Sequence, residues 1–133
     1  MVNKLSFVIK KFFPVTAIVE LLTALALLAA PSLTASLLLG ASLETAVGIV
    51  VARVAGTAIV VLAIACWYAR NDILSPVAFG LLIGMFFYNV VVSLLVAYAA
   101  FALSLRGVGT FPVILGHAAL ATWCIACLLK KNS

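Results

Sequence analysis

Four long apolar stretches, at about 12–30, 48–69, 77–103 and 111–129, alternate with short segments where polar and helix-breaking residues gather. A membrane-spanning helix needs about 20 mostly apolar residues, and each stretch has that length. The breaks have local causes. Pro31 follows the first stretch; Arg70, Asn71, Asp72 and Pro76 separate the second from the third; Arg106, Gly107, Gly109 and Pro112 separate the third from the fourth. Proline lacks the amide proton that a helix interior uses, and charged groups resist the hydrocarbon core, so the chain turns at these places. The predicted fold is an all-α membrane protein, with four transmembrane helices in an antiparallel up-down bundle and residues 1–133 as a single domain.

The longest connection, about 31–47, has no Lys or Arg and carries Leu33, Leu37 and Leu38 at near-helical spacing. This predicts a short interfacial or re-entrant helix between spans one and two. Ser42 is placed to cap the second span. Glu44 would then fall in its first turn, where a carboxylate complements the positive end of the helix dipole.

Composition makes the membrane the solvent: 68% of the 133 residues are hydrophobic and only 8% are charged, with a mean hydropathy of +1.41. The formal charge of +5 is dispersed at the ends of apolar runs rather than gathered in a patch, which argues for topology and against a nucleic-acid partner. Lys4, Lys10, Lys11, Arg70, Lys130 and Lys131 fall on one side of the four-span layout, leaving Arg106 and Arg53 on the other. By the positive-inside rule both termini are expected in the cytoplasm. Trp67, Tyr68 and Trp123 then sit toward the cytoplasmic interface, where rings with one polar tip collect. The first stretch is read as a retained helix rather than a cleaved leader, because it is long enough to span, Glu20 interrupts it, and Pro31 suits a cleavage site poorly.

The candidate chemistry lies in the polar residues inside the spans. Glu20 shares a helical face with Thr16 and Thr23, Asn89 lies four residues before Ser93, and His117 stands in the fourth span. Counting helical rise from the ends places Arg53, Asn89 and His117 at one level in the outer half of the membrane. Glu20 and Arg53 are expected on inward faces of the first and second spans, meeting directly or through Asn89 or His117; the competing arrangement has Arg53 snorkel outward while Glu20 hydrogen-bonds a carbonyl. The cluster of Arg53, Asn89, His117 and Glu20 would suit the polar head of a lipophilic ligand or a proton relay, and it would serve equally as interhelical glue.

Gly48, Ala52 and Gly56 form one ridge of small residues, and Gly80 with Gly84 a second. Either ridge fits intramolecular packing or a homo-oligomer seam. Cys124 and Cys127 share a broad face with His117, as in four-helix thiol oxidoreductases, but such enzymes need a second cysteine pair and only Cys66 remains. The pair also falls near the cytoplasmic end, the wrong side for making disulfides, so packing is the expectation. His117 lies seven residues from Cys124, about 10 Å along a helix, too far to share one tetrahedral ion. No metal and no cofactor are expected. Phosphate-binding glycine loops, His-Glu-x-x-His runs and nucleophile triads are absent, which excludes conventional kinase and hydrolase chemistry.

The segments "ARVAGTAIVVLAIACWYARND" and "FFYNVVVSLLVAYAA" resemble small bacterial four-helix membrane proteins of the DoxX-like group. The shared features are Arg53-x-x-Gly56, Ala65-Cys66-Trp67 at the end of the second span, and Tyr88-Asn89 in the third. The resemblance covers most of the chain by layout and implies a bacterial inner-membrane location, with no activity and no catalytic residue attached to it. The leading expectation is a non-catalytic accessory or scaffold subunit of a larger membrane complex, in contact with lipids and with a membrane-protein partner or a second copy. The alternatives are a binding protein or enzyme for a lipophilic molecule such as a quinone or isoprenoid, and a small transporter.

Overall fold

The computed structural model describes residues 2–131, with side chains from 10 to 129. Within them run five helices: α1 Val2–Ala29, α2 Pro31–Leu39, α3 Ala46–Ala69, α4 Pro76–Ala102 and α5 Thr110–Lys131. All but the short α2 are long and apolar enough to cross a membrane. Most boundaries fall within about two residues of those read from hydropathy, as is usual for helix ends. The exception is α1, which begins well before the apolar run and carries Pro14 in its interior. The side chains of Lys4, Lys130 and Lys131, part of the charge pattern that suggests orientation, lie outside the described residues.

The helix starts follow capping chemistry, with one correction. Thr45, rather than Ser42, caps α3: its backbone is extended, and the Gly48 amide donates to its hydroxyl at 3.0 Å. Glu44 therefore lies before the helix. Thr45 prevails because it immediately precedes the first helical residue, so its oxygen reaches the third amide, as an N-cap requires. Ser75 does the same for α4, accepting from the Ala78 amide at 3.1 Å, with Pro76 at the first helical position. Ser32 ties the start of α2 to the approach of α3, accepting from the Leu43 amide at 3.1 Å and donating to its carbonyl at 3.2 Å.

At the distal end of the bundle, α2 is pinned to the connection between α4 and α5. The Gly109 amide donates to the Leu37 carbonyl at 2.8 Å. The Thr110 hydroxyl donates to the Leu38 carbonyl and accepts from the Gly107 amide. The backbones approach so closely that a Cβ on Gly107 would stand 2.7 Å from the Leu37 carbonyl carbon and from the Ser36 oxygen. Gly40 ends α2 at φ +71°, a conformation favouring glycine.

The long helices pack as two pairs, α1 along α3 and α4 along α5, and the pairs approach each other less extensively. Gly56 shows why α3 lies so near α1: a Cβ there would sit 3.1 Å from the Ala24 carbonyl oxygen and from the Leu27 and Leu28 side chains. Gly80 and Gly84 face open space instead. The two small-residue ridges thus part ways: Gly56 of the first packs against α1 while Gly48 meets only Leu43 and Thr45 of its own approach, and Gly80 and Gly84 of the second are directed outward.

The distribution of polarity is that of a protein solvated by lipid. Leu22, Val54, Phe87 and Leu94 are each more than 60% exposed, whereas Thr16, Glu20 and Asn89 are buried. Such an apolar exterior would be untenable in water and is the normal surface in a bilayer. At the basal end, where α1 begins and α3 ends, Phe12, Phe13, Met85, Cys66, Cys124 and Cys127 form a closed apolar core. Phe12 meets Trp123 edge to face at 5.6 Å.

Candidate functional site: a polar seam between two helix pairs

Adjacent residues on a helix diverge by about 100°, so Tyr88 and Asn89 of α4 reach different neighbours. The Tyr88 hydroxyl donates to Glu20 Oε2 of α1 at 3.2 Å. Asn89 contacts His117 of α5, with Oδ1 to Nδ1 at 2.8 Å. One turn further along α4, the Ser93 hydroxyl donates to the Ile114 carbonyl at 3.2 Å. Two consecutive side chains therefore link α4 to α5 alongside it and to α1 across the bundle, and Tyr88 bridges the gap between the helix pairs.

The hydrogen-bond directions follow from the amide of Asn89. Its Nδ2 donates to the Met85 carbonyl at 2.7 Å, which leaves Oδ1 as the atom facing His117. An amide oxygen only accepts, so His117 Nδ1 carries the proton and Nε2 of the neutral ring offers a lone pair. The Tyr88 ring stands edge-on to the imidazole at a centroid separation of 5.7 Å.

Glu20 is 1% exposed and uses only one oxygen; its Oε1 is buried with no hydrogen-bond partner, and so is Thr16 Oγ1 one turn earlier. Thr23, the third member of that stripe, satisfies itself by donating to the Val19 carbonyl at 3.0 Å. A buried polar atom without a partner destabilises a fold by about 1–3 kcal/mol. Two on the same face of one helix are unusual enough to demand a reason.

Of the four residues singled out from the sequence, the structure joins Asn89 directly to His117 and brings Glu20 beside them through Tyr88. Arg53 does not join them, and the expected Glu20–Arg53 pair does not form. Arg53 is exposed, and its carbonyl accepts the Thr57 hydroxyl at 3.0 Å. The physical reason is azimuth. Gly56, Ala63 and Cys66 define the buried face of α3, and position 53 stands about a quarter-turn from it. Height separates them as well: with Gly56 against Ala24 and Ala63 beside Ala17, Arg53 stands level with about Leu27, roughly 10 Å along the axis from Glu20, so the expected level shared with Asn89 and His117 is not met. Tyr88, the residue that takes the place of Arg53 beside Glu20, leaves no signal in the sequence beyond its position next to Asn89.

The three cysteines sit in the basal core, wholly buried thiols packed among phenylalanine and methionine side chains, with Cys66 within electrostatic reach of Glu20. Among the described residues no group of three or more His, Cys, Asp or Glu side chains is arranged to hold a metal ion.

Four span-length helices, an apolar exterior and a polar interior seam define an integral, multi-pass membrane protein. No family model, curated protein or solved structure matches the chain. The seam offers an unpartnered oxygen at Glu20 Oε1, an unpartnered hydroxyl at Thr16 one turn earlier, and a lone pair on His117, with the Tyr88 ring edge-on to the imidazole and its hydroxyl on Glu20.

Proposed function

We propose that the protein binds a membrane-soluble molecule with a small polar head, of the quinone or isoprenoid-alcohol type, at the seam between the α1–α3 and α4–α5 pairs. The observation that carries this reading is the unpartnered Glu20 Oε1 beside the unpartnered Thr16 Oγ1 on the seam face of α1. A hydroxyl-bearing head would satisfy both, and its tail would run among apolar side chains. Ionisable groups held inside a membrane bundle are functional by default, because lipid offers them nothing. The DoxX-like resemblance and the dispersed basic residues support a place in a bacterial inner membrane with both termini in the cytoplasm.

A second reading, an accessory subunit docked against another membrane protein or a second copy, is favoured by Gly80 and Gly84, which stay exposed with open space over their Cα atoms. Small residues let a partner backbone approach closely where no hydrophobic driving force exists.

Extraction of the full chain directly from native membranes into lipid discs, followed by mass spectrometry of released small molecules and co-isolated proteins, separates the two. A lipophile retained by the wild type and lost from the double variant Glu20→Met with Thr16→Val is the expected result. Recovery of the chain with no such molecule would overturn the binding reading; a constant protein companion would support the second.

A further inference from the structure

On the outer flank of the α1–α3 pair, away from the seam, lies a groove of about 340 Å³ with wholly apolar walls. Ala17 and Leu21 of α1 and Ala63, Ile64, Trp67 and Tyr68 of α3 line it. Its size is within the range of about 300–1,000 Å³ usual for small-molecule sites. The two alanines make its depth, both nearly inaccessible while Ile64 and Tyr68 stand more than half exposed above them.

Cations bracket its basal end. Arg70, the residue after α3, holds its guanidinium carbon 3.6 Å from the centroid of the Trp67 ring, so the charge stands against one wall of the groove. The guanidinium donates one N–H to the Trp67 carbonyl, leaving four of its five donors for another acceptor. The facing side is set by helix register. Gly56 lies against Ala24, and Ala63 lines the groove with Ala17; antiparallel helices of equal rise then place Lys10 at the level of Arg70. Lys10 is exposed and lies two turns before Ala17 on the same face of α1. The nearby acid, Asp72, lines a second groove with Ser75 and Ala78 between α3 and α4, which adjoins the first at Tyr68.

We propose that this groove is a binding site for an anionic phospholipid, with an acyl chain between α1 and α3 and the phosphate at Arg70 and Lys10. Charge complementarity selects the occupant. A zwitterionic lipid would bring its own ammonium group against two cations, whereas an anionic headgroup meets two cations against the single acid Asp72 beside them. Arg is suited to the phosphate because its planar fork presents paired donors. Trp67 and Tyr68 supply the interfacial rings at headgroup depth.

The test uses Trp67 as reporter. The chain has two tryptophans, so Trp123→Phe leaves Trp67 as the single indole while retaining a ring against Phe12. The full chain is reconstituted into phosphatidylcholine vesicles containing a minor fraction of phosphatidylglycerol with brominated acyl chains, or the same fraction of brominated phosphatidylcholine. Bromine quenches indole fluorescence on contact. The expected result is a preference of about five- to thirtyfold for the anionic lipid, since each of the two basic side chains contributes about fivefold at close range. It should fall toward unity in the double variant Arg70→Gln with Lys10→Gln, and in the parent protein at about 1 M salt, where screening lengths shrink to about 3 Å. Equal quenching by the two lipids in the parent would show bulk lipid only and overturn the proposal. A preference surviving in the double variant would also overturn it, and if that variant does not reconstitute, survival at high salt decides the matter the same way.

Discussion

Replacing Tyr88 with phenylalanine keeps the ring against His117 and removes only the hydroxyl that reaches Glu20 Oε2 at 3.2 Å. Because Glu20 Oε1 already lacks a partner, the variant leaves a buried carboxyl with neither oxygen bonded. Interhelical hydrogen bonds in membranes average about 0.6 kcal/mol and reach about 1.7. Orphaning the whole carboxyl places this one at the upper end, so Tyr88→Phe should cost about 1–2 kcal/mol. Glu20→Met gives up the same bond but also removes the unsatisfied Oε1, and it should lie within about 1 kcal/mol of the wild type. In the Glu20→Met background the hydroxyl has lost its acceptor, and Tyr88→Phe should then cost almost nothing. The double-mutant cycle therefore predicts a coupling of about 1–2 kcal/mol. Reversible unfolding in mixed micelles of rising dodecyl sulfate fraction, followed by far-ultraviolet circular dichroism, measures all four corners. An equal cost of Tyr88→Phe in both backgrounds would refute the bridge between the helix pairs, and with it the seam.

Three further substitutions probe the same structure from other directions. Thr16→Val is nearly isosteric and deletes the other orphan oxygen, so in protein stripped of bound small molecules the bundle should gain up to about 1 kcal/mol in the micelle titration; a loss would mean that the hydroxyl is partnered after all. Gly107→Ala would drive a methyl into the Leu37 and Ser36 carbonyls and should cost about 1–3 kcal/mol, as overpacking does, with faster proteolysis in the α4–α5 connection, whereas Gly84→Ala, which meets nothing, should leave stability unchanged or slightly raised.

Much of the architecture is legible in the chain because a bilayer imposes one-dimensional rules. The length of an apolar run decides whether a helix spans, and Pro31, Pro76 and the Arg70–Asp72 cluster mark where it ends, so the four spans and the short helix between the first two are readable residue by residue. Relative height is readable in part, since every helical residue advances about 1.5 Å: the level shared by Asn89 and His117 became a hydrogen bond, whereas the register of α3 on α1 carries Arg53 away from it. Direction is not. Asn89 turns inward while Arg53 is exposed, and spacing along one helix does not say which neighbour a face will meet. That depends on α1 closing onto Gly56 and α4 onto α5, contacts between residues tens of positions apart. The same packing put Tyr88, 68 residues from Glu20, where Arg53 was expected, turned Gly80 and Gly84 outward, and left two oxygens on α1 without partners. Hydropathy sets roughly how deep a side chain lies; only the register and rotation of each helix against its neighbours decide what it touches.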